Sequence, residues 1–184
     1  MRRSCSPLGL LLVVAIGAAA FVPVSSAGSV AGQACNLRGS WVASTAETNR
    51  YLRAINPTTT DVRATSGALS ATFDRATLTV GSLGLRLTGR KGATTIKQEL
   101  DVAAVAPYRA SGGRLALGRG TYKLVYVRSV VITSSGVTVP LDLPAQRRAT
   151  PPSSVAYSCT PGTLRLRVAA GAGGVTVAFR RDRG

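Results

Sequence analysis

The sequence predicts an all-β, antiparallel single domain, a sandwich or a barrel, and three observations carry that expectation. From Ala68 onward, apolar residues recur at every second position through most of the chain. These runs last about five to eight residues and are punctuated by glycine-rich reversals. Helical spacing is found in one short stretch near residue 50.

The chain has 184 residues, and its first 27 say where the domain begins. Arg2 and Arg3 precede an uncharged apolar run over residues 8–24, and Ser25-Ser26-Ala27 supplies small residues for cleavage. That is the layout of a secretory signal peptide. The run is short for a membrane span, which needs roughly 20 apolar residues, so an uncleaved anchor is the weaker alternative. Residues 28–34 are small and polar and read as a flexible leader, leaving residues 35–184 as one domain, long enough to bury a core. Cys5 falls in the signal, so Cys35 and Cys159 remain. In an exported chain such a pair reads as a disulfide, against two free thiols or a metal pair. With no histidine and no third cysteine, no metal site is expected.

The elements follow in order. Residues 41–46 can begin a strand. Ser44 and Glu47 have the spacing of a capping box, Tyr51, Leu52 and Ile55 form an apolar face, and Asn56-Pro57 ends the helix. Beyond it, Leu69, Ala71 and Phe73 alternate with polar residues, as do Leu78 and Val80, then Leu83, Leu85 and Leu87, then Leu164, Leu166 and Val168, then Val175, Val177 and Phe179. Each set places apolar side chains on one face of a sheet whose other face is wet. Gly81, Arg90-Lys91-Gly92, Ser111-Gly112-Gly113, Gly118-Arg119-Gly120, Ser134-Ser135-Gly136, Pro161-Gly162 and residues 171–174 carry turn chemistry. Residues 122–132 are apolar on both faces, which means burial on two sides or a bend partway. Residues 146–153, with Arg147-Arg148 and Pro151-Pro152, read as an exposed connection.

Charge narrows the partners. The whole chain carries +16; without Arg2 and Arg3, 21 basic side chains face 7 acidic ones, a net +14. Such a domain is drawn to anionic surfaces, here an envelope polymer or a lipid surface. The densest basic groups, Arg147-Arg148 and Arg180-Arg181-Arg183, are too small for a nucleic-acid stripe, so no nucleic-acid partner is expected. The competing reading is that the arginines merely solvate the surface. Clustering on one face favours a functional surface; even spread favours solvation.

Catalysis is poorly supplied. Without histidine, Ser-His-Asp and Cys-His arrangements are impossible. Glu99 and Asp101 share a strand face and could loosely pair, beside Lys97, but a wet-face position is the simpler reading. No phosphate-binding loop, dinucleotide fingerprint or nucleophile elbow is present. The expectation is a non-enzyme without a cofactor.

One constellation points further. Gly39-Ser40-Trp41 opens the folded region, and Arg180 and Arg181 close it. This resembles the lipocalin-type barrels, which carry G-x-W at the first strand and an arginine late in the last. The chain also looks like small exported bacterial lipocalin-like proteins. Cys35 stands just before G-x-W, Tyr157-Ser158-Cys159 precedes the last strands, and Tyr108 with Gly112-Gly113-Arg114-Leu115 is similar to their central turn. The resemblance implies an up-and-down barrel of about eight strands; the short helix read from the residues themselves follows its first strand. Trp41 would pack against Arg180, with Arg181 the other candidate, to close the base by a cation–π contact. Cys35–Cys159 would staple the ends. The implied role is secreted, monomeric, non-catalytic binding of a small apolar or amphipathic ligand, with Tyr108, Tyr122 and Tyr126 as candidate contacts. A barrel filled by its own side chains, acting through its cationic surface, is the alternative.

Overall fold

The computed structural model describes residues 35–56, 60–170 and 173–182. The signal expected at 1–27 and the leader at 28–34 lie outside the described residues. The elements run β1 (Gly39–Ala43), α1 (Thr45–Ile55), β2 (Thr60–Ser66), β3 (Ser70–Phe73), β4 (Thr77–Lys91), β5 (Thr94–Ser111), β6 (Arg114–Leu117), β7 (Gly120–Ile132), β8 (Thr138–Pro140), β9 (Gln146–Thr150), β10 (Ser153–Cys159), β11 (Thr163–Ala170) and β12 (Gly173–Arg181).

Every pairing is antiparallel, and eight strands close a barrel. Around the ring β1 pairs β3, then come β4, β5, β6, β10, β11 and β12, and β12 returns to β1. The other strands extend the wall at one end. β2 lies on the same edge of β4 as β3, β7 on the same edge of β5 as β6, and β8 and β9 on the far edge of β7. The two longest strands, β4 and β5, therefore run from the ring into an open-sided sheet.

Two apolar cores fill the inside. The ring holds Trp41, Phe73, Leu115, Leu164, Val177 and Phe179. The extended sheet buries Val62, Leu85, Leu87, Leu100, Val102 and Leu124 against Leu52 of α1. The helix is held there by polar contacts as well as packing. Ser44 Oγ accepts from Glu47 N, which is half of the expected capping box. The Glu47 carboxylate does not return to the cap. It accepts from Ala178 N at 3.0 Å on β12 and pairs with Arg50. Thr48 Oγ1 accepts from Leu69 N, and Asn49 Oδ1 from Ala64 N.

The structure corrects several local expectations. The first strand stops at Ala43, because Ser44 caps the helix. Gly81 is no turn: it sits inside β4 where the backbone of β5 comes close, and a Cβ there would lie 2.0 Å from Val102 O. Leu83 leaves the inward phase of Leu85 and Leu87. A bulge between Ser82 and Leu85, with Gly84 at φ 58°, turns Leu83 out to 83% exposure. Gly118-Arg119-Gly120 separates β6 from β7 without reversing the chain, since both continue along β5. β7 bends partway, where a bulge opposite Glu99/Leu100 leaves Val127 55% exposed. Residues 146–150 are a strand on β7 rather than a free connection.

Candidate ligand-binding site

Strand register sets the inner face of the extended sheet. Ala104, Tyr122 and Arg148 lie in one row across β5, β7 and β9; Ser82, Val102, Leu124 and Gln146 fill the next, across β4 to β9. Then come Leu85, Leu100 and Tyr126, followed by Leu87, Gln98 and Ser129. The floor is apolar, and polar side chains are set into it row by row.

These polar groups are only partly satisfied. Gln98 and Ser129 are buried, and Gln98 Nε2 donates to Ser129 Oγ at 3.4 Å. Gln98 Oε1, Ser82 Oγ and the Tyr126 hydroxyl are buried with no hydrogen-bond partner. Buried polar atoms are nearly always paired, so three on one inner face mark it out.

Tyr51 of α1 adds a third phenol to those of Tyr122 and Tyr126. All three are kept protonated beyond the ordinary tyrosine range, chiefly by burial. Tyr122 is pushed up to about 12, with the neighbouring Tyr126 adding to the effect. Tyr122 likewise raises Tyr51. The Arg148 guanidinium acts the other way on Tyr122 and Tyr126, and so contributes positive potential at this end of the sheet. The arrangement suits hydrogen bonding to an uncharged or anionic polar group next to apolar walls.

Of the three tyrosines singled out from sequence, two meet here and one does not. Tyr108 belongs to the ring, where its ring meets Phe73 edge-on at 5.2 Å and its hydroxyl donates to Asp74 O. Sequence reasoning missed Gln98, Ser82, Tyr51 and Arg148. Gln98 was legible in principle, as a polar residue in the apolar phase of Ile96, Leu100 and Val102. Arg148 carried no such signal, because its place opposite Tyr122 comes from pairing distant strands.

At the ring, the cation over Trp41 is Arg181 rather than Arg180. Its Cζ stands 4.5 Å from the ring centroid. Arg181 Nη1 donates to Arg38 O at 3.1 Å, Nη2 donates to Asn36 O, and Trp41 Nε1 donates to Leu37 O at 2.8 Å. Side chains alternate along β12, so Arg181 shares the inward phase of Val177 and Phe179 while Arg180 faces solvent. The Cys35–Cys159 disulfide is formed. Glu99 is engaged by Arg86 at 3.0 Å, and Asp101 Oδ1 accepts from Gly84 N at the bulge, so both carboxylates hold strand geometry. Among the described residues no three acids or cysteines gather as metal ligands. Among the described residues, open clefts lie beside Pro107 and Arg119 and beside Arg128 and Pro140. No protein-family model, curated protein or solved structure matches the chain.

Proposed function

We propose that this chain is an exported, lipocalin-like, non-catalytic binding protein that holds a small apolar or amphipathic ligand at the extended end of its barrel. The observation that carries the reading is the Tyr126 hydroxyl, buried without a partner on an apolar face that also holds the unpartnered Gln98 Oε1. A ligand bearing a hydroxyl, amide or protonated acid would accept from Tyr126 and donate to Gln98. Arg148 suits an anionic group nearer the β9 edge. The disulfide is in keeping with an oxidising compartment, and the bacterial lipocalin-like motifs with export.

Native mass spectra of the secreted protein, before and after denaturation, test the reading. A small adduct lost on denaturation is expected. Tyr126→Phe should weaken saturable binding of an amphipathic fluorophore such as anilinonaphthalene sulfonate about tenfold, while leaving stability unchanged or slightly raised, because the hydroxyl removed has no partner. Absence of both adduct and saturable binding overturns it. A second reading, a filled barrel acting through its surface, draws on the ring interior, where Trp41, Phe73, Leu115 and Leu164 are fully buried against one another.

A further inference from the structure

Five of the arginines that look scattered in sequence share one outer face. On β11, Arg165 and Arg167 point outward, in the phase opposite to Leu164 and Leu166. Register places Arg167 in a row with Ala156 of β10 and Arg114 of β6. One row along in one direction, Arg109 of β5 lies beside Ala116 and Ser154. In the other direction come Arg165 beside Ser158 and Ala178, then Arg180 opposite Thr163. All five arginines are exposed. Together they form an oblique band, Arg180–Arg165–Arg167–Arg114–Arg109, across the strands from β12 to β5. Neighbouring strands lie about 4.8 Å apart, so Arg167 and Arg114, two strands apart, stand about 10 Å apart at the backbone.

Three features separate this band from ordinary surface charge. First, its floor is made of Ala116, Ser154, Ala156, Ser158, Thr163, Thr176 and Ala178, which leaves the guanidinium groups standing above small side chains. Second, no acid stands between its arginines; Asp182, in the phase of Arg180, lies at its β12 end. The Arg50–Glu47 and Arg86–Glu99 ion pairs lie elsewhere. Glu47 reaches the edge at Ala178 N, but its charge is shared between that N–H and Arg50. Third, the exposed large apolar residues, Leu83, Val105, Val127, Val137 and Val139, are all off the band, so nothing on it is suited to entering a bilayer.

We propose that this band, which offers no aromatic side chain for a base to stack on, is a docking surface for a linear polyol-phosphate polymer lying across the strands. Guanidinium forks match phosphate oxygens two at a time, and a row of five of them favours a partner with repeated phosphates over a single anion. A polymer rather than a membrane follows from the lack of apolar side chains on the face. The proposal goes beyond the ligand reading and stands whether or not the barrel end is occupied.

The test uses the disulfide-bonded protein and fluorescently labelled poly(glycerol phosphate), with anisotropy read against salt. Binding should weaken steeply, the slope of log K on log salt reflecting several phosphate contacts. Arg165→Glu with Arg167→Glu should lower affinity at least tenfold and flatten that slope. The pair Arg63→Glu and Lys97→Glu, equal in charge change but on the other part of the wall, should alter affinity less than twofold. Arg165→Gln with Arg167→Gln, whose fold is checked by circular dichroism, repeats the loss without charge reversal. Equal loss from both Glu pairs overturns the proposal in favour of net charge alone. Equal binding to polyglutamate of the same length overturns the phosphodiester assignment. Binding to phosphatidylglycerol vesicles but not to the polymer points to a membrane and overturns it as well.

Discussion

Removing the side chain of Arg181 and, separately, that of Arg180 gives the most discriminating test of how the barrel closes. The two residues are adjacent and chemically identical, so composition and net charge change equally. Arg181 lies over Trp41 at 4.5 Å and donates to the carbonyls of Arg38 and Asn36. A partly desolvated cation–π contact is worth about 1–2 kcal/mol. Two hydrogen bonds from a charged donor contribute roughly 1.5 kcal/mol each, less what the exposed carbonyls regain from water. Arg181→Ala should therefore destabilise by about 2–4 kcal/mol, which in a domain of this size lowers Tm by roughly 5–15 °C. Arg180 is exposed and touches none of these groups, so Arg180→Ala should stay within about 0.5 kcal/mol. Urea unfolding with the disulfide intact, read by the fluorescence of the single tryptophan, measures both. Equal loss for the two variants, or a larger loss for Arg180→Ala, refutes the argument.

Three further outcomes are expected. Replacing Cys35 and Cys159 by serine opens a loop with a sequence separation of 124, which should cost up to about 4–5 kcal/mol on the chain-entropy account, read by urea unfolding with and without reductant. Gly81→Ala forces a Cβ against Val102 O and should destabilise by about 1–3 kcal/mol or more, whereas Gly162→Ala, with open space and ordinary φ, should be neutral or slightly stabilising; thermal melts of the two decide it. Burial raises the folded-state pKa of Tyr51 and Tyr122 above the unfolded value near 10, so the stability they contribute is intact below pH 10 and is lost as pH climbs toward 12. Tm measured from pH 9 to 12 should fall, and fall less steeply in Tyr122→Phe.

Much of the ring was legible because its physics is local. Period-two alternation announced β3, β11 and β12, and the Ser44 and Asn56 signals bracketed α1 to within a residue. The disulfide followed from the count of cysteines. What failed was continuity. Gly81 and Gly118 look like turn residues, yet in this fold they permit close strand approach and a strand break, while Gly84, inside the Leu83–Leu87 alternation, makes a bulge that breaks it. Assigning Trp41 a partner required knowing which phase of β12 faces inward, and the sequence offers two neighbouring arginines. The polar set on the inner face was half visible: Gln98 and Ser82 interrupt apolar phases, but only register unites them with Tyr126 and Arg148.

The ring is sealed by the pairing of β1 with β12, in which Trp41 lies opposite Arg181. The β3–β4, β4–β5, β5–β6, β10–β11 and β11–β12 pairings join neighbouring segments and β6 meets β10 across β7–β9, but β1 gains its second edge only when the last strand arrives, some 140 residues later. The slowest event in folding should thus be the return of β12 to β1. Until it happens, the aromatic face of Trp41 lacks its arginine cover and the ring stands open along a seam. Stopped-flow refolding followed through the tryptophan would report that final closure, after the hairpins have formed.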